Sequence, residues 1–164
     1  MADMRGDSFW SFTLAFYGRE GVSPALIALQ DRFGHDVNLL LYACWLGLHE
    51  GVSLTAAEKK AAAERVRVWR EGVLIPLRAA RRGIKAAAVA GTDSVYSAAK
   101  SLEISAEQTG QRLMAEGAPA AKAGVPLEER RRLAAANLRL CLESGEEWAV
   151  AAPIEKGLAA VVAP

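Results

Sequence analysis

Five polar residues crowd one short stretch, Gln30, Asp31, His35, Asp36 and Asn38, within LQDRFGHDVNLL. Two carboxylates, an imidazole and two carboxamides in one place can hold a small polar ligand or move a proton. Gln30 and Asp31 end one apolar helix, while Asp36 and Asn38 open the next, so their side chains are brought to a common corner. A helix N-terminus offers free N–H donors to an anion, although the Asp36 carboxylate competes for those donors as an N-cap. The alternative is structural: the same residues cap two helices and satisfy backbone groups at a tight corner. Trp45, further along the second helix, completes the candidate binding set of Gln30, Asp31, His35, Asp36, Asn38 and Trp45.

A second cluster is cationic. Arg65, Arg67, Arg70, Arg78, Arg81, Arg82 and Lys85 fall within one segment, and Arg67, Arg70, Arg78, Arg81 and Arg82 form its candidate patch. Residues 59–85 carry nine Lys/Arg against Glu64 and Glu71, a net of +7, while residues 1–54 carry six acids against three arginines, a net of −3. Such a basic run can neutralise phosphates, with strongly salt-dependent binding. It can equally be a solvated helix face, or complement the acidic N-terminal third within the chain. The whole chain is only +1, the arginines fall on more than one helix face, and no DNA-binding motif is present. Nucleic acid is therefore the weakest of the partner readings.

Enzyme signatures are missing. The chain has no phosphate-binding glycine loop, G-x-S-x-G, H-E-x-x-H or C-x-x-C. His49-Glu50 begins like a zinc helix, but no histidine follows at the required spacing. If residues 36–48 form one helix, His35 and His49 stand about 20 Å apart at its two ends and cannot share a metal. No catalytic residue, metal or cofactor is expected. Aromatic residues at helical spacing (Trp10, Phe12, Phe16, Trp45, Trp69) read as core, with a pocket or partner groove as the other possibility. Trp148, in polar surroundings beyond the last firm helix, reads as a docking anchor for a partner.

The elements that must position these residues are helical throughout. Asp7 or Ser8 can cap a helix from Phe9 to Tyr17, with Phe9, Phe12 and Phe16 on one face. Ser23 as N-cap and Pro24 at the first helical position start a second helix, which runs to Phe33. Gly34 is its left-handed C′ residue. Asp36 caps the third helix, which is apolar around nearly its whole circumference from Val37 to Leu48 and so must be buried among other helices. Thr55-Ala56-Ala57-Glu58 is a capping box for a fourth. That helix meets Pro76, whose ring clashes with the carbonyl of Gly72; the apolar phase continues beyond it, so one kinked helix is expected, with two separate helices as the alternative. A helix from Asp93 to Glu116 carries Val95, Ala99, Leu102, Ala106, Thr109 and Leu113 at inward spacing. Another runs from Leu127 to about Leu142. The sequence thus predicts an all-α bundle of about six helices around residues 37–48, a domain over residues 7–144, and an Ala/Val-rich tail over 145–164, docked or disordered.

An apolar fraction of 52% with 24% charged residues is that of a folded domain. The longest apolar run, Leu39 to Leu48, falls well short of the roughly 20 residues of a membrane span. The N-terminal MADMRGDSFW places acids where a signal peptide has a basic region. Two cysteines, Cys44 and Cys141, form neither a disulfide framework nor a zinc spacing. A cytoplasmic location is expected.

The combination Phe9-Trp10-Ser11-Phe12, Tyr17, Gly21-Val22, Leu29-Gln30-Asp31, Gly34, Asp36-Val37-Asn38-Leu39-Leu40-Leu41 and Trp45-Leu46 resembles a family of small bacterial proteins, mainly proteobacterial. It is a conserved hypothetical family, a domain of unknown function. Trp69, Pro76-Leu77-Arg78 and Lys85 resemble its second segment. The resemblance implies an all-helical cytoplasmic protein and brings no activity. The leading expectation is a non-enzymatic interaction or regulatory module, with a protein partner or a second copy of the chain meeting the Gln30–Asn38 corner. A small-molecule binder or enzyme at that corner is the alternative.

Overall fold

A computed structural model describes residues 4–162. Among these residues the chain forms α1 (Met4–Tyr17), α2 (Val22–Phe33), α3 (Val37–Leu48), α4 (Ala56–Trp69), a π-helical turn (Arg70–Leu74), α5 (Ile75–Ala87), α6 (Asp93–Glu116), α7 (Leu127–Cys141) and α8 (Gly145–Ala159), with no strand. The bundle is all-α, as the periodicity predicts. Eight helices replace the expected six because the kinked fourth is divided by the π turn and because α8 forms in the Ala/Val-rich segment. No helix among the described residues is long and apolar enough to cross a membrane.

The third helix is the core. Eleven of its twelve residues are buried, and α1, α2, α4, α6 and α7 surround it. Its closest neighbour is α7: a Cβ placed on Gly47 would lie 2.6 Å from the carbonyl carbon of Leu133, and closer still to the backbone of Ala134. The two backbones therefore cross almost in contact, which only glycine allows. Asn137 of α7 seals this crossing, its Oδ1 accepting from Leu54 N–H at 2.7 Å and its Nδ2 donating to the carbonyls of Val52 (2.9 Å) and Ala43 (3.1 Å). Cys44 and Cys141 are buried free thiols. Burial raises both above the ordinary thiol range, Cys141 to about 11, so neither is a thiolate nucleophile at neutral pH.

Several local expectations shift. The first helix begins at Met4, so Asp7 and Ser8 lie inside it; Arg5 anchors the extra turn through Glu50 (2.5 Å) and the carbonyls of Ala118 and Pro119. Helix α2 is capped by left-handed Gly21, and Ser23-Pro24 lies in its first turn. Gly34, Asp36 and the Thr55–Glu58 capping box take the cap positions read from sequence. From α4 to α5 the chain stays helical without a break, through Pro76. Its missing N–H and the clash with the residue-72 carbonyl are absorbed by the π turn, in which Ile75 N–H bonds Arg70 O five residues back.

The largest departure is α6. Val95 and Leu102 point outward, both more than half exposed, while Glu103, Ala106, Gly110, Gln111, Met114 and Ala115 turn inward. This helix buries polar side chains because α5 and α1 bring arginines and a hydroxyl to meet them. Helix α8 is started by Ser144, whose hydroxyl accepts from Glu147 N–H, and it lays Ala151, Ile154 and Leu158 against α2.

Candidate functional site

A cleft of about 520 Å³ opens between α1 and α2 on one side and α5 and α6 on the other, with the first turns of α3 at its base. That volume lies within the range of roughly 300–1,000 Å³ usual for small-molecule sites. Its apolar walls come from Trp10, Leu14, Tyr17, Ile27, Leu41 and Ile104. Its polar groups are Thr13, Gln30 and Asn38, with Arg78, Arg81, Arg82, Glu103 and Glu107 along the α5–α6 side.

The α1 and α3 turns place the buried polar groups in a chain. Thr13 Oγ1 donates to Gln111 Oε1 at 3.0 Å, and Gln111 Nε2 donates to Asn38 Oδ1 at 2.8 Å. Asn38 is only 4% exposed, and its Nδ2 has no hydrogen-bond partner among the described residues. That nitrogen is not among the sealed unpaired atoms, and Asn38 lines the cleft.

Opposite, Arg78 donates to Gln30 Oε1 (3.2 Å) and Glu107 Oε1 (2.8 Å), and Arg81 forks onto Glu103. The Glu103 hydrogen bond holds Arg81 above its ordinary pKa, so its charge is permanent. Arg82 is looser. Its side chain is 60% exposed, and its guanidinium lies 3.7 Å from the Asp31 carboxylate, beyond hydrogen-bond distance.

The structure therefore brings together Gln30 and Asn38 from the first candidate cluster and Arg78, Arg81 and Arg82 from the second. The other candidates go elsewhere. Asp31 lies outside the cleft beside Arg82. His35 Nε2 pairs with Glu147 Oε2 at 2.7 Å, fastening the start of α8 to the α2–α3 corner. Glu147 also accepts from Glu143 N–H at 2.9 Å, and that bond, followed by His35, holds its carboxyl below the usual carboxylate range. Asp36 caps α3 through Asn38 N–H at 3.0 Å and lies 3.0 Å from Arg70 Nε. Trp45 is fully buried about 10 Å along α3 from Asn38, stacked on Phe9 at 5.1 Å with Arg5 over its ring. Arg67 pairs with Glu64 and Glu71 on its own exposed surface. Each arginine of the candidate patch thus has a carboxylate beside it within the chain.

Glu103, Glu107, Gln111 and Thr13 escaped the sequence reading. Glu103, Glu107 and Gln111 share a four-residue spacing, one polar stripe on a helix, and that stripe was the signal available.

A further convergence has the composition of a hydrolase triad. Ser8 Oγ lies 3.2 Å from His49 Nε2, and His49 Nδ1 lies 3.0 Å from Glu50 Oε1. Yet Ser8 Oγ is also 3.4 Å from Nδ1. A hydroxyl on the Nε2 lone-pair axis would be far closer to one ring nitrogen than to the other, so this one sits beside the ring. His49 is half exposed and Ser8 lies inside α1, away from the cleft. The arrangement is not that of a nucleophile and its base. Among the described residues no group of three His, Cys, Asp or Glu could hold a metal ion.

Comparison with protein families matches residues 8–114 to the family described as "Protein of unknown function (DUF2390)". The chain belongs to that family. Comparison with curated proteins and with solved structures gives no match. The DUF2390 span runs from α1 to near the end of α6 and contains every residue lining the cleft, while α7 and α8 lie beyond it.

Proposed function

We propose that this DUF2390 protein is a small-molecule-binding module whose site is the α1/α2–α5/α6 cleft. One observation carries the reading. Polar residues at least 40 positions apart in sequence, Gln30 and Asn38 against Arg78, Arg81 and Arg82, line one concavity together with Thr13, Glu103, Glu107 and an apolar wall. A concave apolar wall with a few convergent polar groups is the usual anatomy of a ligand pocket. The residues that would orient a ligand are fixed from behind, Asn38 by Gln111 and Arg78 by Glu107 and Gln30, so little ordering is left to be done on binding.

A protein-interaction surface is the second reading. Leu14, Ile27 and Ile104 at the cleft are each more than 40% exposed, and Trp148 stands half exposed on α8. A partner helix laid along the cleft would cover the first three.

A thermal-shift screen against common metabolites separates the two. A ligand at a hundred times its Kd adds about 2.7 kcal/mol, roughly 5–11 °C in Tm for a chain of this size. The rise is expected to vanish in Ile104→Trp, which fills the cleft from a partly exposed wall position. A rise that persists in Ile104→Trp places the ligand elsewhere. A flat screen, together with capture of a partner that Ile104→Trp abolishes, transfers the cleft to the second reading.

A further inference from the structure

We propose that the ligand of this cleft is an organic monoanion: an apolar chain or ring carrying one carboxylate, which pairs with Arg82. The inference rests on the ligand-binding reading and adds the chemical class.

The charge balance of the lining carries it. Three arginines and two glutamates face the cleft. Glu103 and Glu107 are both engaged, Glu103 by Arg81 with Arg78 at 3.8 Å, and Glu107 by Arg78. These groups are already hydrogen-bonded and only partly accessible, so a ligand cation would have to break an existing pair to reach either carboxylate. Arg82 is the lining charge that is not so held. It makes no hydrogen bond among the described residues, and its contact with exposed Asp31 is long. The lining therefore offers one loosely paired cation, Arg82, and no carboxylate free of a hydrogen bond.

The other polar vacancy is also a donor. Asn38, more than nine-tenths buried, lines the cleft, and its Nδ2 has no acceptor among the described residues. It suits an oxygen acceptor on the ligand, and it would leave an ammonium unsatisfied. The same cleft has an apolar wall of Trp10, Leu14, Tyr17, Ile27, Leu41 and Ile104. Apolar surface buried there supplies most of the binding, while the carboxylate sets the class. A fully polar anion such as inorganic phosphate would leave that wall wet.

The test is calorimetric titration of the full chain with three probes of one shape: octanoate, octanamide and octylamine. Octanoate is expected to bind about three- to fivefold more tightly than octanamide, the scale of a partly exposed charge pair, and octylamine to bind least. Raising the salt narrows the difference. Arg82→Gln, at an exposed position, is expected to bring octanoate down to octanamide. Equal binding of octanoate and octanamide, or a preference that survives Arg82→Gln, overturns the monoanion assignment. If that equal binding is lost in Ile104→Trp, the ligand-binding reading stands without it. No binding by any of the three overturns the assignment of an apolar-bodied ligand, and the metabolite screen then decides the wider reading alone.

Discussion

Replacing Gly47 with alanine tests the packing that holds the base of the cleft. In an ordinary helix interior Gly→Ala is stabilising by about 1 kcal/mol. Here the new Cβ would lie 2.6 Å from the Leu133 carbonyl carbon and closer to the Ala134 backbone, whereas carbon atoms pack at about 3.5–4.0 Å. The α3 and α7 axes must therefore part by about 1 Å. The obstructing atoms are backbone and cannot rotate aside. Parting the helices also loosens Leu138 and the three Asn137 hydrogen bonds at the same interface. Overpacking costs about 1–3 kcal/mol, and the upper end applies where only rigid elements can yield. After the propensity gain, a net loss of roughly 2 kcal/mol remains, or about 4–8 °C in Tm. The assay is urea unfolding followed by far-UV circular dichroism, with Gly83→Ala as the control. Gly83 lies in α5 with nothing within 4 Å of its added Cβ, so that variant is expected to gain about 0.5–1 kcal/mol. If Gly47→Ala is as stable as Gly83→Ala, the close α3–α7 crossing is wrong.

Three further outcomes are expected. Asn137→Ala removes one acceptor and two donor bonds at a site 1% exposed and is expected to cost about 3 kcal/mol, because Leu54 N–H is left unpaired; denaturant midpoints measure it. Ala88 holds φ 50° at the end of α5, a left-handed conformation costing a β-carbon-bearing residue about 1–2 kcal/mol. Ala88→Gly should therefore be neutral to stabilising by up to about 1 kcal/mol in the same assay, where an ordinary helix end would lose stability. Glu147 is held below its ordinary carboxylate pKa by Glu143 N–H and His35, so the unfolded chain takes up its proton first as the pH falls. Its contribution is complete above the ordinary carboxylate range and is lost as the pH falls through the lowered folded value. Glu147→Gln should thus be less stable than the parent at pH 7, with the gap closing in acid; a constant gap removes this account of the His35–Glu147 clasp.

What the sequence determined was local. The Asp36 N-cap, left-handed Gly34, the Thr55–Glu58 box and the all-round apolar face of residues 37–48 depend on neighbours within about one helical turn, so they were legible in order along the chain. Gln30, Asn38, Arg78, Arg81 and Arg82 were likewise visible as two clusters of the right chemistry. Their meeting was not. It depends on which face of α5 lies on α6 and on how α1 and α2 close over both, and helical periodicity is silent on contacts between elements. Helix α6 makes the reason plain: its period pointed to Val95 and Leu102, yet the protein buries Glu103 and Gln111. A polar face is buried when its partners arrive from elsewhere in the chain, here Arg81 for Glu103 and Thr13 and Asn38 for Gln111. Only the tertiary structure brings those partners together, and the cleft is the space left between them.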